Sequence, residues 1–296
     1  MRYPGGKNGA GVFQTIINQI PEHSIYIEAF VGSGAVLRNK RPATSTIVID
    51  ADADVAARWF DVAEFWSKGS SDSLIALHGD ARSLIGIFAD RGLLSPRVFI
   101  YCDPPYVRSS RRSAAAIYRH EMTDADHLLL LGLLVQLPAL VMVSGYRCPL
   151  YDVALSSWRR IDFQAMTRGG PSVESLWMNY PEPVALADYS HLGRNFRERQ
   201  DLKRQRERWQ ARLARMSPLK RQALIEAVAD IASAGSPLPA GAGPLGKSAD
   251  ASWPGSSSAD LPLLERHCRE SVSSSFSGGS APVSVLHAKS TAQPRR

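Results

Sequence analysis

Val98-Phe99-Ile100-Tyr101-Cys102-Asp103-Pro104-Pro105-Tyr106 is the stretch whose reading decides the fold. Five apolar residues closed off by proline have the length and composition of a buried strand. The tetrapeptide Asp103-Pro104-Pro105-Tyr106 therefore stands at that strand's carboxyl end, the edge where open α/β sheets bind ligands. Consecutive prolines fix the backbone and remove two N–H donors, which leaves carbonyls to accept from a ligand amine. Asp103 is a second acceptor and Tyr106 a flat ring. Acceptor, acceptor and platform suit an exocyclic amino group on a planar base. Taken alone, the tetrapeptide is equally an ordinary strand-terminating turn, because Asp-Pro pairs are common there.

Outward from this stretch, apolar runs alternate with polar turns. The pattern predicts strands over 24–28, 47–50, 74–77, 98–102, 139–144 and 175–179. It predicts helices over 11–20, after Gly34, from the second strand through Phe60, and over 124–137 with Thr123 as cap. Strands alternating with helices imply an α/β fold with a Rossmann-like, doubly wound, mainly parallel sheet. Glu28, Asp50 and Asp80 then fall at the carboxyl ends of successive strands. Each acid singly is more often a helix cap or a turn residue. In phase with Asp103 they line one crevice, where a cofactor's hydroxyls and amines need acceptors.

Two glycine turns flank this crevice. Phe30-Val31-Gly32-Ser33-Gly34 follows a strand and precedes a helix, and its glycines permit a tight turn with close ligand approach. The third glycine of a dinucleotide-binding loop is absent. Gly5-Gly6-Lys7 offers a flexible backbone and one cation suited to a carboxylate. It is not a phosphate-binding Walker loop, since Asn8 stands where Ser or Thr is needed.

The 296 residues allow one or two domains at roughly 150 residues each. Texture divides them into a catalytic region 1–185, a basic helical extension 186–233 and a low-complexity tail 234–296. The tail's Ser, Gly, Pro and Ala cannot repay ordering entropy, so disorder is expected there. Between Arg194 and Arg221, many Arg and Lys are set against only Glu198, Asp201 and Glu207. That run and the formal charge of +7 point to an anionic partner, nucleic acid before membrane. Cys102, Cys148 and Cys268 lie far apart without a CxxC pair, which argues against a zinc site or a disulfide framework and for a reducing compartment. No stretch reaches the roughly 20 apolar residues of a membrane span, and no signal-peptide pattern opens the sequence. A cytoplasmic protein is expected.

The combination of Arg2-Tyr3-Pro4-Gly5-Gly6-Lys7, Glu28-Ala29-Phe30-Val31-Gly32-Ser33-Gly34, Asp50 and Asp103-Pro104-Pro105-Tyr106, in this order, resembles the Dam-like (D12 class) DNA adenine N6-methyltransferases. Tyr118-Arg119-His120-Glu121-Met122-Thr123, Ser144-Gly145-Tyr146 and Glu174-Ser175-Leu176-Trp177-Met178-Asn179 resemble that family's compact phage and prophage branch. The resemblance covers about residues 1 to 181. It implies the fold of a methyltransferase that uses S-adenosylmethionine and acts on DNA without a metal. It places Tyr3 and Lys7 near the cofactor's methionine end, with Phe30, Gly32 and Gly34 wrapping it. Asp50 would accept the ribose hydroxyls, and Asp80 matches the acid near the adenine amine. Asp103 and the Pro104 carbonyl would accept from the target amine, with Pro105 behind them and Tyr106 stacked on a flipped base. Methylation of cytosine N4, or a DNA-binding protein without catalysis, are the alternatives on the same fold.

One departure matters. Asp50 and Asp103 are only 53 positions apart, too close to hold the family's usual target-recognition domain. Two basic groups are candidates for nucleic-acid contact instead: Arg108, Arg111, Arg112 and Arg119 after the tetrapeptide, and the later run that includes Arg204 and Arg208 beside Trp209. Basic residues grip phosphates without reading sequence, and the alternative reading of the later run is a solvated charged helix. His120 and Glu121 read as positioning or structural residues, and Trp158, Trp177 and Met178 as core. Recognition sequence, any restriction partner and oligomeric state are not encoded in these motifs.

Overall fold

A computed structural model describes residues 6–66, 72–111, 115–167 and 170–234. Seven strands are described: β1 (Ile25–Ala29), β2 (Ser45–Asp50), β3 (Ser73–His78), β4 (Val98–Cys102), β5 (Leu140–Gly145), β6 (Arg159–Thr167) and β7 (Gly170–Met178). They form one sheet in the order β3-β2-β1-β4-β5-β7-β6. The first five run parallel, and β7 is antiparallel to both β5 and β6. This is the Rossmann-like, doubly wound, mainly parallel α/β sheet that the alternation implied.

Every residue of β1, β2 and β4 is buried, as central strands covered on both faces require. One face carries α1 (Val12–Ile17), α2 (Ala35–Asn39) and α3 (Ala53–Trp66), whose Ile16, Leu37 and Trp59 share a core with Tyr26 and Phe99. The other carries α4 (Ala81–Asp90), α5 (Asp124–Leu134) and α6 (Pro149–Ala154), with Ile85, Leu131 and Tyr151 packed on Ile27, Ile100 and Trp177. Each fully buried aliphatic or aromatic side chain contributes about 1.5–3 kcal/mol. Thr123 caps α5 as expected, in a reciprocal capping box with Asp126.

Three elements were missed. α4 follows Asp80, whose carboxylate accepts from Arg82 N at 2.7 Å and so starts the helix. α6 begins at Pro149, which suits a first helical turn. β6 holds Ile161, Phe163 and Ala165 at alternate positions against the core, a period-two signal that its four charged or amide neighbours obscure. The sixth expected strand is therefore the seventh, and it is longer than 175–179. It pairs with β5 only from Ser175 to Met178, so residues 170–174 continue with β6 past the end of β5.

The first compact unit runs to Arg194 and a second begins at Asn195. The expected boundary at 185 therefore falls nine residues early. Leu186 bridges Pro21, Ala187 N donates to Ile20 O at 3.0 Å and Asn18 Nδ2 donates to His191 O at 2.8 Å, all within the first unit. The second unit contains α7 (Phe196–Ala214), capped by Asn195, and α8 (Pro218–Ala234). Tyr3, Arg112 and the tail from 235 lie outside the described residues. No described helix is long and apolar enough to cross a membrane.

Candidate active site

The topological switch lies between β1 and β4, because the chain winds outward from β1 to β2 and β3 on one side and from β4 to β5 on the other. Their register sets Ala29 beside Cys102 and Ile49 beside Ala29, so the ends of β2, β1 and β4 come level. A cleft of about 250 Å³ opens there. Of the expected site residues, Lys7, Glu28, Phe30, Gly32, Asp50, Asp80, Asp103, Pro104 and Pro105 all line it.

The turn after β1 is built for close approach. Phe30, Gly32 and Gly34 all have left-handed backbones, with φ of 62°, 48° and 61°. For Phe30 this is strain of about 1–3 kcal/mol, held by its surroundings. Gly34 does not wrap the cleft directly. A Cβ there would stand 2.2 Å from the Trp59 ring, whose Nε1 donates to Gly32 O at 3.0 Å. Gly34 is thus required by helix packing, and Gly32 by the loop facing the cleft.

Asp50 ends β2 and organises this loop. Its Oδ2 accepts from Gly32 N at 2.8 Å and its Oδ1 from Asp52 N at 2.9 Å. Each oxygen keeps a second lone pair for a ligand hydroxyl. Burial pushes the Asp50 carboxyl above its usual range. Glu28 is deeper: Tyr26 OH at 2.8 Å and Leu37 N at 3.1 Å both donate to its Oε2, and burial pushes it up to about 7. Asp80 is engaged as the α4 cap and by the Arg82 guanidinium, which also reaches Asp126. Burial would raise Asp80, but Arg82 outweighs it and holds the carboxyl low.

At the end of β4 the groups converge. Lys7 Nζ donates to Asp103 Oδ1 at 2.7 Å and to Tyr106 OH at 2.6 Å. Ser144, at the end of β5, donates its hydroxyl to the same Oδ1 at 2.7 Å. Among the described residues none donates to Asp103 Oδ2, and Asp103 remains part of the cleft wall. Glu174, from the stretch of β7 beyond β5, puts Oε2 3.6 Å from Lys7 Nζ. Burial opposes the charge on Lys7, yet Asp103 and Glu174 together hold its ammonium above the ordinary lysine range. Burial likewise pushes Glu174 up. Lys7, expected at a cofactor's methionine end, lines the cleft and binds Asp103 through its ammonium.

Tyr106 is 6% exposed, with its ring edge-on to Tyr146 at 4.5 Å and Lys7 4.9 Å from the ring centre. The ring is packing in this arrangement, and Tyr118 is the tyrosine on the cleft wall beside His120.

The arginines after the tetrapeptide divide. Arg111 turns inward: it donates to Tyr106 O at 2.6 Å and, through both terminal nitrogens, to Glu121 at 2.9 and 2.6 Å. Its side chain is 5% exposed, so it secures the loop rather than meeting a phosphate. Glu121 also accepts from Ile117 N and Tyr118 N, and Arg111 holds its carboxyl down at about 2. That is the structural part expected of it. Arg119 pairs with Asp52 at 3.0 Å and Asp54 at 2.7 Å, while Arg108 is half exposed, 3.9 Å from Glu121. In the second unit Arg204 lies 3.6 Å from Asp201, and Arg208 is exposed.

Ser144, Glu174 and Tyr118 belong to motifs quoted for the resemblance, but no local pattern assigned them a part. Their places depend on β5 and β7 lying beside β4, and on the loop that returns after Arg111.

No protein-family model and no curated protein matches this sequence. Solved structures do resemble it. A SAM-dependent methyltransferase from Agrobacterium tumefaciens is 14% identical over 57% of this chain and 60% of its own, with a TM-score of 0.35. The magnesium protoporphyrin IX methyltransferase from Synechocystis, solved with bound SAM, is 11% identical over 57% and 75%, at 0.36. The precorrin 8w decarboxylase from Methanobacterium thermoautotrophicum is 10% identical over 56% and 87%, at 0.33. A likeness of this size carries no conclusion about chemistry, which rests on the chain's own residues.

Proposed function

We propose that this protein transfers a methyl group from S-adenosylmethionine to the N6 amine of adenine in DNA. The observation that carries the reading is Asp103: a carboxylate at the switch-point edge, anchored through one oxygen by Lys7 and Ser144 and offering the other to the cleft. The cleft fits the cofactor by the chemistry of its groups. Asp50 has lone pairs left for vicinal hydroxyls, Asp80 is an acceptor for an amine, and the Phe30–Gly32 turn brings backbone to the wall.

When bound, S-adenosylmethionine supplies an electrophilic methyl group on a sulfonium. The chain's part is to hold and orient the amine. Asp103 Oδ2 accepts one amine hydrogen and the Pro104 carbonyl accepts the other, which turns the nitrogen lone pair out of conjugation with the ring. Pro105 fixes the backbone that follows that carbonyl. The new bond is N–CH3, the broken one S–CH3, and sulfur keeps the electron pair. The proton then leaves the nitrogen for Asp103 or water. Positioning and fixed charge supply most of the rate. The exposed Arg108 and the basic face of α7 would hold phosphates, which gives affinity without reading sequence.

The test is to incubate the protein with labelled S-adenosylmethionine and DNA, digest to nucleosides and identify the labelled one. N6-methyladenine is expected. Label in N4-methylcytosine would replace the adenine assignment, and no label in any nucleoside would remove the function.

A further inference from the structure

Glu174 has no part in the reaction as proposed, yet it stands at its centre. The side chain is 7% exposed, and among the described residues none donates a hydrogen bond to its buried Oε2. It is within reach of the Tyr106 hydroxyl, and Lys7 stands 3.6 Å away. Lys7 gives hydrogen bonds to Asp103 and Tyr106 on its other side. One buried ammonium therefore stands between two carboxylates, in hydrogen-bond contact with the first and ion-pair contact with the second.

This division of charge bears on the acceptor. An opposite charge within about 4–6 Å favours the ionised form of a carboxylate and weakens it as a base and as a hydrogen-bond acceptor, while a like charge does the reverse. We propose that Glu174 is a positioning residue that shares the Lys7 charge with Asp103 and so keeps Asp103 a strong acceptor for the target amine. The proposal rests on the amine-methylation reading. The groups facing Glu174 are Lys7 from the amino-terminal segment, and Asp103 and Tyr106 from the end of β4. Asp103 faces Lys7, Glu174 and Tyr106, together with Glu28 from β1, Tyr101 from β4 and Tyr118 from the return loop.

The direction follows. Removing the Glu174 charge leaves the whole Lys7 charge on Asp103 and takes away a negative neighbour, and both weaken Asp103 as an acceptor. A role in packing alone would impair E174D and E174Q alike.

The experiment compares the full chain with E174Q and E174D by single-turnover transfer from labelled S-adenosylmethionine to DNA, by affinity for S-adenosylmethionine and by unfolding temperature. E174Q is expected to slow transfer on the order of tenfold. Its affinity for S-adenosylmethionine should stay unchanged, and E174D should behave like the wild type. Transfer by E174Q at the wild-type rate overturns the proposal, as does equal slowing in E174D and E174Q with a lowered unfolding temperature in both. A wild-type chain that transfers no methyl group to DNA overturns the methyltransferase reading instead.

Discussion

Lys7 and Asp103, 96 positions apart in the chain, meet at 2.7 Å in an ion pair whose side chains are 4% and 19% exposed. The pair joins the amino-terminal turn to the end of β4 and fixes the carboxylate that faces the cleft. A buried pair of this kind gives orientation more than net stability, since desolvation offsets much of the attraction.

Breaking it from one side exposes that cost. Lys7→Met leaves Asp103 and Glu174 buried without their cation and should destabilise the fold by about 3–5 kcal/mol in urea at neutral pH. Asp103→Asn keeps the shape but not the charge. It should bind S-adenosylmethionine as the wild type does and transfer on the order of 100-fold more slowly or worse. Transfer at the wild-type rate would remove Asp103 from the mechanism.

Gly34→Ala should be costly. Its Cβ would lie 2.2 Å from Trp59 on a residue at φ 61°, so overpacking and left-handed strain together predict a loss of about 2 kcal/mol or more. Gly86→Ala is the control: it lies inside α4 with nothing within 4 Å of the added carbon, and should stabilise by up to about 1 kcal/mol. Thermal unfolding of the two variants compares them directly; similar midpoints would contradict the packing account.

Glu28 predicts a pH dependence. Its carboxyl is pushed up by burial, from 4.5 to about 7. The folded state therefore binds a proton more tightly than the unfolded chain, and this group's contribution is full below about 4.5 and lost as pH rises through about 7. Glu28→Gln keeps an oxygen to accept from Tyr26 and Leu37 and removes the titration. Relative to wild type it should gain stability between pH 5 and pH 8, read from urea midpoints at both. A difference that does not change with pH would show that Glu28 does not titrate in this range.

Glu121 has the opposite sign. Arg111 and two backbone amides hold its carboxyl at about 2 against an ordinary 4.5. Its stabilisation is present above about 4.5 and disappears as pH falls towards 2. Arg111→Ala should destabilise at pH 7 and much less at pH 2.5, and amide exchange in the 115–122 loop should quicken at the higher pH. Equal losses at both values would assign Arg111 to packing alone.

For DNA contact, Arg204→Ala with Arg208→Ala should weaken binding to unrelated duplexes alike. If both guanidiniums meet phosphates, the slope of log affinity against log salt should fall by nearly two, about 0.9 per contact. An unchanged slope would mark these residues of α7 as solvated surface.

Much of the frame was legible before any coordinates. The apolar run ending at Cys102, the phased acids and the glycine turn after β1 are local patterns, and each lies where the sequence placed it. β6 and the helices after Asp80 and Cys148 were missed because their apolar residues are interrupted by Arg, Asp, Gln or Gly, so the local signal is diluted. The boundary after residue 185 was set too early because the packing of Leu186, Ala187 and His191 on the first unit leaves no mark in composition.

The sequence by itself determined six of the seven described strands, that the sheet is mainly parallel, and that Asp103 ends a central strand facing a crevice, since burial periodicity and turn chemistry act over a few residues. Tertiary structure alone decided what Asp103 touches. Lys7 and Ser144 reach it from the amino-terminal turn and from β5, Glu174 reaches Lys7 from the far end of β7, and only strand order and register bring those ends together. The same holds for Tyr106, whose ring meets Tyr146 and whose hydroxyl meets Lys7, and for Arg111, drawn inward by Glu121. A buried charge must find its partner wherever the fold supplies one, and a local pattern carries no record of which neighbour that will be.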